Sequence, residues 1–187
     1  VRLGRNQRGR LVERAWGAVK PYLLGRHLPF RGLLASKLPE HVRKVTTFLL
    51  HDQFASLDCL KELVSGQSRL ILPNVDIPNP AVLQDFTSLT ELDLSGTSIS
   101  DIRPLARLIQ LTTLDLSGTS ISDIRPLAQL TQLTGLDLSR TSISDIRPLA
   151  QLTQLTTLDL SGTSISDIRP LAQLTQLTGL DLSRTSI

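Results

Sequence analysis

From Leu89 onward the aliphatic residues return on a beat that neither a plain helix nor a plain strand produces. One pass reads Leu89, Leu92, Leu94, Ile99, Ile102, Leu105 and Leu108, and Leu111 begins it again. The step of two between Leu92 and Leu94 puts both side chains on one face of a short strand. The steps of three from Ile99 to Leu108 suit a tight, 3-10-like or helical return. Each pass therefore predicts a strand, a turn and a return segment. The return opens Ser100-Asp101-Ile102-Arg103-Pro104. Proline suits the first turn of a helix, and an acid or hydroxyl just ahead of it can cap the free amides. Asp101, Asp123, Asp145 and Asp167 are accordingly expected to be structural turn or cap residues.

The pattern repeats every 22 residues, as units 89–110, 111–132, 133–154 and 155–176 and a half unit 177–187. One unit cannot bury its own leucines. Stacking the units sets each strand beside the next at about 4.8 Å and makes a continuous aliphatic core. The same frame extends upstream in weaker form. Leu70, Leu72, Val75, Ile77, Pro80, Leu83 and Phe86 fall in register over 67–88, and Phe48 and Leu50 start a still looser unit. The expected organisation is thus a segment 1–44, degenerate cap repeats over 45–88 and regular repeats over 89–187.

A period of this length with the pattern L-x-x-L-x-L resembles the leucine-rich repeat. The stretch Leu133-Thr134-Gly135-Leu136-Asp137-Leu138-Ser139-Arg140-Thr141-Ser142-Ile143-Ser144-Asp145-Ile146-Arg147-Pro148-Leu149 is similar to the short repeat of bacterial internalins and of phosphatase-regulating relatives. The resemblance implies an α/β leucine-rich-repeat solenoid, with a curved parallel sheet on the concave side and short returns on the convex side. It also implies a protein-binding role. One departure stands out. Where that family carries Asn, this chain has Thr97, Thr119, Thr141, Thr163 and Thr185. A hydroxyl offers fewer hydrogen-bonding sites than an amide, so a thinner threonine ladder is expected to satisfy the buried main chain.

Charge divides the chain in two. Residues 1–44 hold eleven Lys/Arg against Glu13 and Glu40, a net of +9, whereas 89–187 hold seven Arg against ten acids, a net of −3. The six aromatic residues all precede residue 87. The basic segment reads as a linker or the end of a preceding domain. Its sharper reading is a weak nucleic-acid or acidic-lipid contact through residues 1–14, carried by Arg2, Arg5, Arg8, Arg10 and Arg14. The single cysteine, Cys59, permits no internal disulfide and reads as apolar filler in a cap repeat. With no secretory signal and no 18-residue apolar run, a cytoplasmic location and no transmembrane segment are expected. The chain lacks methionine even at position 1, so it is expected to begin inside a longer reading frame or to have been processed or trimmed.

Enzyme chemistry finds no foothold. His27, His41 and His51 make no metal spacing with Cys59, and no phosphate loop or nucleophile motif is present. No cofactor, metal or catalytic residue is expected. A column of one acid copied along a sheet, as in Asp93, Asp115, Asp137, Asp159 and Asp181, is a surface and not a catalytic constellation.

Alternation along the strand places Leu92 and Leu94 inward and Glu91, Asp93 and Ser95 on the open face. The equivalent columns are Thr113, Gly135, Thr157 and Gly179; Asp115, Asp137, Asp159 and Asp181; and Ser117, Ser139, Ser161 and Ser183. These positions read either as solvated strand residues or as a concave binding face for a protein partner. Two columns vary together: Gly135 and Gly179 accompany Arg140 and Arg184, while Thr113 and Thr157 accompany Gly118 and Gly162. The true period from 111 onward is therefore a 44-residue doublet. An electrostatic reading has Arg140 lean over Gly135 toward Asp137 and relieve repulsion in the acid column. The leading functional expectation is partner recognition on the concave face. The alternatives are a regulatory or sensing region of a larger nucleotide-switch protein, and nucleic-acid or membrane attachment through the basic arm.

Overall fold

The computed structural model describes residues 68–74, 77 and 80–187. Six three-residue strands run in chain order through one parallel sheet: β1 (Arg69–Ile71), β2 (Glu91–Asp93), β3 (Thr113–Asp115), β4 (Gly135–Asp137), β5 (Thr157–Asp159) and β6 (Gly179–Asp181). Each strand pairs with the next at an offset of 22 residues, so Leu70 lies beside Leu92, Leu92 beside Leu114 and Leu136 beside Leu158. The sequence period and the sheet register are the same quantity, because a one-residue slip would turn every leucine outward.

Between strands the chain returns through 3-10 turns at Pro80–Asp85, Arg103–Arg107, Arg125–Gln129, Arg147–Gln151 and Arg169–Gln173. Steps of three fit the 3-10 repeat, in which residues three apart share a face. Pro104 and its copies occupy the second position of each regular turn. Asp101 accepts the N–H of Arg103 at 3.0 Å, and its carboxylate receives two further bonds from the same guanidinium, through Nε and Nη2. Asp123, Asp145 and Asp167 do the same with Arg125, Arg147 and Arg169. The turn aspartates are thus local structure, closing the loop ahead of each return.

Strand and return leucines meet in one core. Leu92, Leu94, Ile99, Ile102, Leu105, Leu108 and Leu111 are all essentially buried, and their counterparts through Ile165 continue the same cluster. Exposure rises over the last unit, where Ile168, Leu180 and Ile187 are open to solvent. The degenerate unit 67–88 joins the same architecture, with Leu70, Leu72, Ile77, Leu83 and Phe86 buried in register. Residues 1–67, which include the basic segment, the looser cap repeat, the histidines and Cys59, lie outside the described residues.

Two threonine hydrogen-bond systems run through the stack, and the one that joins neighbouring slabs is not the one that the threonine-for-asparagine replacement suggests. Thr97, Thr119, Thr141 and Thr163 are buried, but each hydroxyl donates to a carbonyl three residues earlier in its own repeat, as in Thr141 Oγ1 to Leu138 O at 2.6 Å. These threonines close a turn and bridge nothing. The inter-repeat ladder belongs to a different column. Thr90, Thr112, Thr134, Thr156 and Thr178 each donate a hydroxyl to the main-chain oxygen 22 residues earlier, at 2.9–3.1 Å. A threonine there can serve a neighbouring slab because it stands one residue ahead of its strand, beside the main-chain oxygen that already accepts its own amide and the next, as Thr90 O does from Thr112 and Thr113.

Candidate binding face

At the C-terminal end of each strand the parallel ladder runs out and one amide needs another acceptor. The N–H of Leu94 reaches Asp115 O in the next strand, but the N–H of Ser95 turns back to Asp93 Oδ1 at 2.8 Å. Ser117, Ser139, Ser161 and Ser183 repeat this with Asp115, Asp137, Asp159 and Asp181. The aspartate column is therefore part of how each strand ends. It is also partly withdrawn from water: Asp93 is buried, and Asp115, Asp137 and Asp159 are half-buried. Burial pushes the carboxyls of Asp93, Asp115 and Asp137 above the usual carboxylate range, against the lowering effect of the serine hydrogen bonds. Neighbouring aspartates add to the rise at all three. Asp181 goes the other way, held down by the Ser183 amide.

The next position is a left-handed turn. Asn74, Gly96, Gly118, Arg140, Gly162 and Arg184 form one column, and all have φ between 53° and 67°. Each of the first five donates its N–H to a serine oxygen in the following repeat, as in Arg140 N to Ser161 O at 2.8 Å. Glycine enters that conformation without penalty, whereas an L side chain pays for it in backbone strain. The Gly/Arg alternation therefore sits on a backbone constraint. Electrostatic relief of Asp137 does not describe it: among the described residues Arg140 makes no ion pair with Asp137, and the charges acting on Asp137 are those of Asp115 and Asp159.

Across β3 to β6 these columns border a shallow groove of about 690 Å³. Its walls include Thr113, Asp115, Asp137, Thr157, Asp159 and Asp181 from the sequence-derived set, with Gly135 and Gly179 between them. Glu91 stands apart, its carboxylate 2.6 Å from Arg69 Nε. Asp93 lies in the same column one strand earlier. Ser95, Ser117 and Ser161 hold the strand ends, and Ser139 is buried. Arg140 and Arg184 are exposed on the turn beyond. Sequence reasoning passed over Thr134 and Thr156, which also line the groove while forming the ladder. Their signal was present, since a threonine recurs at that place in every unit from Thr90 on.

The groove carries four carboxylates and no basic side chain. Among the described residues no group of three or more His, Cys, Asp or Glu is placed to hold a metal ion, and no helix is long and apolar enough to cross a membrane.

The fold defined by these slabs, a parallel sheet lined with leucines and closed by 3-10 returns, is a leucine-rich-repeat solenoid. A family model for paired leucine-rich repeats matches 87–129, 109–151, 131–172 and 153–187, and so covers more than half the chain. The chain belongs to the leucine-rich-repeat family, in its bacterial internalin-like class. An internalin, InlF, from Listeria monocytogenes is similar at 29% identity and a TM-score of 0.66, covering 78% of this chain and 43% of its own. A second Listeria monocytogenes internalin, internalin C2, is similar at 25% identity and a TM-score of 0.52, covering 92% of this chain and 84% of its own. The plant peptide hormone receptor RGFR1, solved in complex with RGF2, is similar at 26% identity and a TM-score of 0.51, over 58% of this chain and 19% of its own. This chain thus spans less than half the length of InlF. No curated protein matches. Leucine-rich-repeat proteins typically serve as binding modules and not as enzymes.

Proposed function

We propose that this chain is a protein-recognition module that receives an extended segment of a partner along its concave sheet. The observation that supports this most is the groove itself: it runs continuously across four strands, offers small polar side chains and glycines at its floor, and keeps its carboxylates at a regular spacing. Extended concave surfaces are where solenoids bind. A structural relative, the receptor RGFR1, was solved with RGF2 bound. Acids in the groove favour a partner with positive charge, and small residues leave room for its backbone.

The test compares the full chain with an Asp115→Asn, Asp137→Asn, Asp159→Asn variant. Asparagine keeps the Oδ1 acceptor for the serine amide, so the strand ends stay closed while the charge is lost. Proteins captured from a bacterial lysate are identified, and the affinity of the best of them is measured by calorimetry against both forms. The reading expects at least tenfold weaker binding by the variant, about 1.4 kcal/mol. Equal affinity, or a captured partner that footprints elsewhere, would remove the concave acids from the function.

A further inference from the structure

We propose that Arg140 and Arg184 set the charge specificity of the turn row beside the groove: two guanidiniums, two repeats apart, that receive carboxylates spaced about 10 Å along an acidic segment of a protein partner. This deepens the reading of the chain as a protein-recognition module and rests on it.

The backbone supports this first. Asn74, Gly96, Gly118, Arg140, Gly162 and Arg184 share one left-handed turn position. Gly118, Arg140 and Gly162 each donate the same N–H to a serine oxygen of the following repeat, at 2.8 Å. Glycine therefore does all that this turn requires, and does it without strain. Arginine at φ of 55° or 59° adds strain and leaves the main-chain bond as it was. Strain kept where a relaxed residue serves equally well points to a side chain used outside the fold.

Pairing supports it second. Arg103, Arg125, Arg147 and Arg169 are each held by the aspartate of their own turn, and Arg69 is paired with Glu91. Among the described residues the Arg140 and Arg184 side chains have no ion pair and no hydrogen bond, and both residues are exposed. Arg107 is also unpaired, but it ends a return and stands away from the strand ends. A free guanidinium offers a planar fork of donors that fits a carboxylate with two parallel hydrogen bonds.

Spacing comes third. A Cβ on Gly162 would meet Arg140 Cγ at 3.5 Å, so the arginine stem passes over the turn of the next repeat. Asn74 leans in the same way on Gly96, where a Cβ would collide with Asn74 Oδ1. A side chain in this row thus uses the room above the turn that follows, and a glycine there supplies it. The alternation sets the two guanidiniums about two strand spacings apart, roughly 10 Å. That is about the Debye length at moderate salt, so each can hold its own anion with little mutual repulsion.

The test uses a molecular ruler. In acetyl-Glu-Pro-Pro-Glu-Pro-Pro-Glu-amide the polyproline II form, with three residues per turn and a rise of about 3.1 Å, puts successive glutamates on one face about 9 Å apart. Acetyl-Glu-Glu-Glu-Pro-Pro-Pro-Pro-amide has the same composition with its carboxylates clustered. Each is titrated into the full chain carrying ¹⁵N-glycine, and affinity is read from the Gly162 amide signal, beside Arg140. The spaced peptide should bind there about fivefold or more tightly than the clustered one, through simultaneous engagement of both arginines. An Arg140→Gln, Arg184→Gln form keeps the strained turns, loses the charge, and should lose the preference while its thermal unfolding is unchanged. Equal affinity of the two peptides for the unaltered chain would overturn the proposal, as would a preference that survives the glutamine substitutions. Tighter binding of single-stranded oligothymidylate at Gly162 would overturn it in favour of a phosphate ligand. The Asp115→Asn, Asp137→Asn, Asp159→Asn form should keep the peptide preference, so the groove acids and the turn arginines fail or stand separately.

Discussion

The hydroxyl of Thr134 donates to the main-chain oxygen of Thr112, 3.1 Å away and one full repeat earlier. Thr141, seven residues further on, spends its hydroxyl on Leu138 in its own slab. Two threonines of one unit thus perform different tasks, and they differ in burial. Thr134→Val removes a hydrogen bond whose partners stay within reach of water, and should cost about 0.5–1 kcal/mol in urea unfolding. Thr141→Val strips a buried carbonyl of its side-chain donor and should cost about 1–3 kcal/mol. An equal loss from both would contradict the assignment of local and bridging roles.

The left-handed column makes a prediction of opposite signs. Gly118 has φ of 65°, and a Cβ there would meet only ordinary contact with the Gly96 backbone at 3.8 Å, so Gly118→Ala meets only backbone strain and should destabilise by about 1 kcal/mol. Arg140 already carries that strain at φ of 55°. Arg140→Gly should therefore be neutral to stabilising, by up to about 1 kcal/mol, in thermal unfolding. A clear destabilisation would mean that the arginine side chain makes contacts worth more than its conformation costs.

Burial grades the aliphatic residues. Leu136 is 3% exposed between two strands, whereas Ile109, just past the Arg103–Arg107 return, is 52% exposed. Leu136→Ala should cost about 2–5 kcal/mol through lost transfer energy and an unfilled cavity. Ile109→Ala forms no such cavity and should cost well under half as much. Chemical denaturation of the two variants side by side checks this ordering.

Asp137 and Asp145 respond to pH in opposite directions. Burial raises the Asp137 carboxyl above its ordinary value. Its protonated form is therefore the one the fold favours. The stability it contributes is fully present below its unfolded pKa and is lost as pH rises through the higher folded value. Asp145 is lowered to about 2 by hydrogen bonds from Arg147. Its contribution is present above the unfolded value and fades as pH falls toward about 2. Asp137→Asn should raise the melting temperature at pH 7 and leave it unchanged at pH 3. Asp145→Asn should lower it slightly at pH 7, because an exposed pair of this kind contributes little. Matching effects of the two substitutions at pH 7 would refute the distinction.

The Asp137 and Asp145 carboxylates show where local sequence stopped being informative. Both are aspartates in polar stretches of one repeat, and both accept an amide two residues on. Only the stacking of β3, β4 and β5 around Asp137 withdraws it from water, and only Arg147 in the same turn anchors Asp145. The Arg140 reading failed for a related reason. Spacing places Arg140 near Asp137 along the chain, but the left-handed turn fixes where the residue stands, and pattern carries no φ.

Sequence alone determined the slab. A strict 22-residue recurrence of aliphatic positions can be buried in only one way, by parallel stacking in register, and so the strands, the returns, the inward leucines and the outward Asp and Thr columns were all legible from Leu89 to Ile187. Tertiary structure decided what each polar column does. Hydrogen bonds depend on which donor and acceptor come within about 3 Å across neighbouring slabs, and that distance is set by stacking and not by order along the chain. That is why the bridging ladder proved to be Thr90, Thr112, Thr134, Thr156 and Thr178, why the buried threonines serve only their own turns, and why the concave aspartates close strand ends while lining the groove.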